Sequence, residues 1–273
     1  MPSANERDTL TKLITNVSSS VKYRHIAPEL IHHIGAQELT KRNNLKAAVK
    51  ATKNKLHQIT GAYWEGQPPY AQWLTLLREA ADNQETKRAA CQTMIAHHAS
   101  TRERIPLLHE FYTTLFAGLP TVTTVLDLAC GLNPLTIPWM NLPAQTRYYA
   151  CDINCEQIDF IHQALPLLGV SGGAFLWDLL QGTPAVTTDV ALLLKTIPCL
   201  EQIVKGIGSR LLHTVNASTL IVSFPAQSLG GRNKGMGATY ATHFAQLLTD
   251  IDKQHWTVET FRFATEIVYR LRI

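Results

Sequence analysis

The segment Val125-Leu126-Asp127-Leu128-Ala129-Cys130-Gly131-Leu132-Asn133-Pro134 constrains what this chain can fold into more than any other. Thr123 to Leu128 is a short β-branched and aliphatic run, the pattern of a buried strand. It ends in an acid and then in small residues, as a strand does when it passes into a helix through a tight turn open to a ligand. The arrangement recurs twice. Asp152 closes Arg147-Tyr148-Tyr149-Ala150-Cys151, and Asp178 closes Ala174-Phe175-Leu176-Trp177. The three acids lie 25 and 26 residues apart, about one strand–helix unit each. A parallel sheet with an acid at the end of three successive strands is the expected core.

The first turn has no phosphate cradle. A dinucleotide site needs three glycines that seat a pyrophosphate on a helix N-terminus. Here Gly131 stands alone, and Pro134 occupies the position where the helix would open. A nucleoside without phosphates suits this turn better, and S-adenosylmethionine is the expected cofactor. Asp152 would accept both ribose hydroxyls, Asp178 or its neighbouring backbone would meet the adenine, and Asp127 would orient the turn facing the methionine end. The competing reading is that each acid only caps the helix after its strand. Three in succession favour a site.

Composition excludes several classes. At 273 residues and 45% hydrophobic, the chain suffices for one ordinary domain and a substantial appendage. The longest apolar run, Val190 to Leu194, is far too short for a bilayer. Met1 to Leu10 is polar and does not read as a secretory leader, so a cytoplasmic location and no membrane partner are expected. Cys91, Cys130, Cys151, Cys155 and Cys199 are scattered and odd in number, which is thiol usage in a reducing compartment. No second pair or histidine cluster accompanies Cys151 and Cys155, so no metal is expected.

Charge is divided unevenly. Residues 1–55 carry ten Lys/Arg against four Asp/Glu, and the remainder fifteen against seventeen. Arg42, Lys46, Lys50 and Lys53 follow at helical spacing, which makes one cationic ridge opposite an apolar face of Leu45, Ala48, Val49 and Leu56. With no acidic partner expected at i±4, the ridge points to a polyanion, the alternative being a solvated helix face.

The pattern from about Asn5 to Ala117 is helical, with connections near Ala27-Pro28, Arg42-Asn43-Asn44 and Gly66-Gln67-Pro68-Pro69. Its last helix is expected to begin at Ser100, with Glu103 completing a capping box. From Thr121 strands and helices alternate, with strands expected near 123–128, 147–151, 174–177, 189–194 and 219–224. Thr257–Phe263 and Glu266–Leu271 then read as an antiparallel hairpin at the sheet edge. The expected architecture is α/β, a Rossmann-like class I methyltransferase with a seven-stranded, mostly parallel sheet and an N-terminal helical domain. The expected division is a basic, helical domain over 1–118 and a cofactor-binding domain over 119–273.

Several segments resemble the aminoglycoside-resistance 16S rRNA methyltransferases that modify N7 of a guanine in the ribosomal decoding site. They are Leu56–Tyr63, His98–Arg104, Asp127–Pro134, Leu192–Glu201, Ser223–Pro225, Ser228–Met236 and Glu266–Tyr269. The resemblance covers nearly the whole chain, most weakly over the first forty or so residues. It implies a 30S subunit partner, the 16S rRNA decoding region as substrate, and action as a monomer. It implies resistance to 4,6-disubstituted 2-deoxystreptamine aminoglycosides. Carried over by position, it implies cofactor contacts from Tyr63, His98, Ala99, Ser100 and Arg104 in the helical part. From the sheet it implies Ala129, Gly131, Asp152, Asp178, Leu179 and Leu194. Arg104 would bind the methionine carboxylate through its guanidinium fork; on spacing alone it reads rather as half of an i,i+3 or i,i+4 surface ion pair.

Guanine N7 has a free lone pair and no proton to lose, so methyl transfer there needs in-line positioning and no obligatory general base. The sequence lacks the Asn/Asp-Pro-Pro-aromatic loop suited to amino-group methylation. Pro198-Cys199 leaves open a cysteine nucleophile of the cytosine-C5 type, though Lys195-Thr196-Ile197 precedes it where an acid is usual. An adenine-N1 enzyme and a noncatalytic RNA-binding factor on the same scaffold also remain open. The target base is expected near Ser228–Met236, where Gly230, Gly231 and Gly235 permit close approach and Arg232 and Lys234 offer phosphate contacts. Met236 or Tyr240 would pack on a displaced base, with Phe224 and Pro225 as the pocket floor. An ordinary surface loop is the alternative.

Overall fold

Six strands run parallel and one runs against them. The structure, a computed structural model, describes residues 4–42, 44–80, 82–226, 236–249 and 256–272. The strands are β1 (Thr124–Leu128), β2 (Arg147–Asp152), β3 (Ser171–Leu176), β4 (Thr188–Leu194), β5 (Ala217–Pro225), β6 (Thr257–Arg262) and β7 (Glu266–Arg272). Their order is β3-β2-β1-β4-β5-β7-β6, with β7 antiparallel to both neighbours. This is the class I methyltransferase layout, and the reversing strand is inserted between β5 and the edge strand β6. The chain moves outward from β1 to β3 and then crosses back to β4. The resulting switch point, beside the carboxyl ends of β1 and β4, is where such sheets bind ligands.

Alternation along the strands sorts side chains between two cores. Leu126, Leu128, Leu193 and Val222 face α1 (Ala4–Ser18), α2 (Pro28–Thr40) and α3 (Leu45–Ile59) through Leu13, Leu30 and Leu56. Val125, Val190 and Ile221 face the other way. They share a cluster with residues of α4 (Tyr70–Glu79), α5 (Gln84–Ile95), α7 (Leu108–Phe116) and α8 (Cys155–Leu167), with the short α6 (Ala99–Arg102) between α5 and α7. The sheet is completed by α9 (Ile197–Glu201), α10 (Ile207–Thr214) and α11 (Met236–Thr249). β1 is buried at all five positions because both faces and both edges are covered.

Local chemistry explains where the elements depart from the sequence pattern. After β1 the chain makes a 3₁₀ helix, Asn133–Trp139, which Pro134 opens and in which Pro138 removes a donor that an α-helical ladder would need. β3 starts at Ser171 rather than 174. Gly172 has φ +110°, and a Cβ there would lie 2.2 Å from the Tyr148 carbonyl oxygen. The capping box at Ser100 does not form. α6 begins at Ala99, His98 occupies its N-cap without a side-chain bond, and Glu103 reaches Lys195 instead.

The cationic ridge is shorter than its spacing suggested. Arg42 lies beyond the end of α2 and before α3, and it pairs with Glu38 at 3.0 Å, an acid four residues earlier. Lys46 and Lys50 are exposed on α3, whereas Lys53 is half-buried and touches Asn16 Oδ1 at 3.3 Å. Asn44 caps α3 by accepting the Ala47 N–H, which fixes the ridge's starting point.

Candidate functional site

A cavity of about 580 Å³ opens at the carboxyl edge of β1 to β4, within the range of small-molecule sites. One wall is the set of turns leaving these four strands. The other comes from the helical part: the α1–α2 connection, the segment from Ile59 to Tyr70, and His98 to Arg104. An isolated bridge from Ile26 to Asn154 pins the two walls together, and one from Trp64 to His98 ties two segments of the helical wall.

The strand-end acids sit side by side because β3, β2 and β1 are neighbours, with Asp127 opposite Ala150 and Asp152 opposite Leu176. All three line the cavity, and each has a different role. Asp127 is buried, and its Oδ2 accepts from Asn133 Nδ2 at 2.9 Å and Tyr148 OH at 2.7 Å. Burial pushes its carboxyl up to about 7 against those two bonds. Asp152 Oδ2 accepts the Gly131 N–H and Oδ1 the Ile153 N–H, and burial raises its carboxyl as well. Asp178 caps the 3₁₀ turn after β3 by accepting the Leu180 N–H. For Asp178 the capping reading therefore holds alongside its place in the wall.

The turn after β1 is built for close approach. Ala129 and Gly131 both have left-handed backbone, φ +50° and +52°. A Cβ on Gly131 would lie 3.3 Å from the His98 ring, so glycine lets the two walls meet. His98 stacks on Tyr63 and meets Trp64 edge-on. Burial, and then the cations Arg104, Lys195 and Arg102, push its imidazole down to about 3, so it is neutral. Its Nδ1 is buried and has no protein partner.

Of the twelve residues expected at the cofactor, Tyr63, His98, Ser100, Arg104, Asp127, Ala129, Gly131, Asp152, Asp178, Leu179 and Leu194 line this cavity. Ala99 does not; it is buried beneath the wall. Arg104 is 1% exposed, and its fork is already engaged. Nε and Nη2 donate to the two carboxylate oxygens of Glu266 at 2.5 and 3.1 Å, and Nη1 donates to Asn133 Oδ1 at 2.9 Å. The surface-pair reading fails, and the expectation of a free fork is corrected: three of its five N–H donors are committed.

Phe224 does not form a pocket floor here, and the loop whose pocket Pro225 was expected to floor lies outside the described residues. Phe224 is fully buried among the rings of Tyr240, Phe244 and Tyr269, and Pro225 pairs with Glu266 across the β5–β7 ladder. Neither lines the cavity. Arg232 and Lys234 lie outside the described residues, as does the Met236 side chain.

Several lining residues escaped the sequence pattern. Lys195 holds φ +57°, unusual for a residue with a side chain, and donates to Glu103 Oε2 at 2.7 Å. Its position at the end of β4, matching the acids at the ends of β1 and β2, was the available signal. Tyr63 OH and Cys199 Sγ lie 2.9 Å apart. Burial pushes the Cys199 thiol up, although Tyr63 draws it down, so the thiol stays protonated. Trp177 at the exit of β3 also faces the cavity.

The arrangement can hold a nucleoside by its ribose, screen it from water with aromatic side chains, and meet a carboxylate with buried cations. Comparison with known proteins agrees in class. Residues 19–270 match the family model described as ribosomal RNA methyltransferase (FmrO). The chain is 38% identical to the 16S rRNA (guanine(1405)-N(7))-methyltransferase of Micromonospora echinospora over 98% of both chains. It is also 38% identical to the protein of the same name from Frankia casuarinae, over 99% of this chain and 96% of that one. The crystal structure of the 16S rRNA methyltransferase RmtF in complex with S-adenosyl-L-homocysteine superposes with a TM-score of 0.82 at 32% identity, covering 100% of this chain and 99% of that one. By the family match over most of its length and the cavity at its switch point, this chain belongs to the FmrO family of ribosomal RNA methyltransferases.

Proposed function

We propose that this chain methylates N7 of guanine 1405 in 16S rRNA, the activity named for its relatives, acting as a monomer on the assembled 30S decoding region. The observation that carries the reading is 38% identity across 98% of both chains, joined to a cavity whose polar groups suit a nucleoside sulfonium. The chain is an S-adenosylmethionine-dependent enzyme, and the residues present fit that cofactor. The Asp152 carboxylate is oriented by the Gly131 and Ile153 N–H groups, with Asn154 and Gln157 beside it, and lines the cavity as an acceptor suited to ribose hydroxyls. Gly131 keeps the space that a Cβ would fill, and buried His98 Nδ1 awaits a partner. When bound, S-adenosylmethionine supplies an electrophilic methyl group on sulfur.

This chain's residues then bind, orient and exclude water. Asp152 holds the ribose, Leu179 and Leu194 flank the nucleoside, and the two uncommitted N–H donors of Arg104 meet the carboxylate. Guanine N7 has no proton to lose, so no residue need serve as general base. The neutral His98 and the protonated, Tyr63-bound Cys199 accord with a site that positions rather than abstracts. Cys199→Ser is therefore expected to retain most methyl transfer. Complete loss in a folded protein, or a trapped protein–RNA adduct, would favour a cytosine-C5 enzyme.

Residues 1–118 are proposed as the 30S-docking domain and 119–273 as the catalytic domain. Lys46 and Lys50, with Lys53 beside them, would meet rRNA phosphates. Changing all three to Glu is expected to weaken 30S association and to flatten its salt dependence by a slope of roughly 0.7–0.9 per lost phosphate contact, leaving cofactor affinity unchanged. Equal 30S affinity at low salt would make the ridge a solvated face. Arg42, held by Glu38, is expected to contribute less. Arg232 and Lys234 are proposed as further RNA contacts. A cytoplasmic location is proposed because the proposed substrate is ribosomal; no described helix is long and apolar enough to cross a membrane.

The test is to express the chain and map its mark on 16S rRNA by primer extension and strand cleavage. Cleavage at guanine 1405 is expected; a mark on an adenine N1 or a cytosine would overturn the reading.

A further inference from the structure

Glu266 opens β7, on the far side of the sheet from the strands that carry the acids, yet its carboxylate ends beside the cofactor cavity. It is fully buried and meets four groups. Arg104 Nε and Nη2 donate to its two oxygens at 2.5 and 3.1 Å. Lys195 Nζ lies 3.8 Å from Oε1, and the Ser223 hydroxyl bonds the same carboxylate. Both cations line the cavity. One carboxylate thus holds two cations that come from opposite walls, Arg104 beyond α6 and Lys195 after β4.

Arg104 depends on that hold, whereas the Lys195 ammonium is held first by Glu103 at 2.7 Å and then by Glu266. Lys195 sits in left-handed backbone, its N–H bonded to Ser223, a conformation that persists only where the surroundings over-determine it. Arg104 is pinned edge-on by Glu266 and from its third nitrogen by Asn133 Oδ1. The guanidinium plane is therefore fixed, with one free N–H left on each terminal nitrogen. Apolar packing would stabilise this position as well as a buried ion pair does, so fold stability alone gives no reason for a charge here.

We infer that Glu266 is a positioning residue that fixes Arg104 so that its free donors, with the Lys195 charge beside them, receive the carboxylate of the cofactor's amino-acid end. The inference rests on the reading that Arg104 faces that carboxylate. It predicts a selective defect, because only ligands carrying the amino-acid tail depend on the two cations.

Calorimetry on the full chain with two probes tests it. S-adenosylhomocysteine has the tail; 5′-methylthioadenosine keeps the nucleoside and sulfur and lacks it. Glu266→Gln keeps the shape and removes the charge. It is expected to weaken S-adenosylhomocysteine at least tenfold while moving 5′-methylthioadenosine less than twofold. In turnover, KM for S-adenosylmethionine should rise with kcat changed by no more than a few-fold. Equal weakening of both probes would mean a structural pair only, and unchanged S-adenosylhomocysteine affinity would overturn the proposal outright. If Glu266→Gln does not fold, Glu266→Asp retains the charge and withdraws it by one methylene, and the same selective loss is expected. Arg104→Gln separates the two layers. If it fails to discriminate between the probes, the carboxylate reading itself is wrong; if it discriminates and the Glu266 variants do not, only the role of Glu266 falls.

Discussion

Asp152→Ala is expected to reduce affinity for S-adenosylhomocysteine by about a hundredfold to ten-thousandfold. Two hydrogen bonds from ribose hydroxyls to a carboxylate contribute roughly 1.5–3 kcal/mol each, and every 1.4 kcal/mol or so is a factor of ten. The same carboxylate accepts the Gly131 and Ile153 N–H groups, so alanine also strips the turn after β1 of its anchor. Asp152→Asn separates the effects: its amide oxygen can still accept the Gly131 N–H, while the charge facing the ribose is gone. Isothermal titration should show Asn close to Ala in the ligand deficit and closer to the parent in melting temperature. A folded Ala variant that binds within threefold of the parent would remove Asp152 from the site.

The second large effect is expected in the cell. A methyl group on guanine N7 adds bulk and positive charge where cationic 4,6-disubstituted aminoglycosides lie, and it removes a hydrogen-bond acceptor. Lost contacts and like-charge repulsion together should cost the drug several kcal/mol. Expression in a susceptible bacterium is therefore expected to give high resistance to gentamicin and kanamycin and none to neomycin, whose 4,5-disubstituted ring system lies differently. Asp152→Ala and Arg232→Ala should each abolish it. Minimum inhibitory concentrations decide the matter: resistance to neomycin and apramycin with gentamicin still active would indicate an adenine-N1 enzyme.

These expectations draw unequally on sequence and structure. Strand ends were legible because their signals are local. An apolar run closed by Asp127, then Asp152 and Asp178 one strand–helix unit apart, is enough to place three acids at the carboxyl ends of adjacent strands or in the turn just beyond. The N-terminal helices were legible by the same logic of period and breaker. Where local signals were weak the boundaries moved: β3 runs back through two glycines, and Ser100 lies within the first turn of a helix whose N-cap is His98.

What the sequence by itself determined was the class of fold, the edge of the sheet that binds the ligand, and the acids waiting there. These follow from hydrophobic period and from the near-constant length of a strand–helix unit. The choice of partner for each buried charge was decided by tertiary structure alone. Arg104 and Glu266 are 162 residues apart, Lys195 and Glu103 are 92 apart, and no spacing rule joins either pair. A buried charge must find an opposite charge or many hydrogen bonds. Which one it finds depends on the strands and helices that packing brings together, here β7 against β5 and the α6 segment over the end of β4. The same reason turned Phe224 from an expected pocket floor into core, because the rings of Tyr240, Phe244 and Tyr269 close over it only once α11 and β7 are in place.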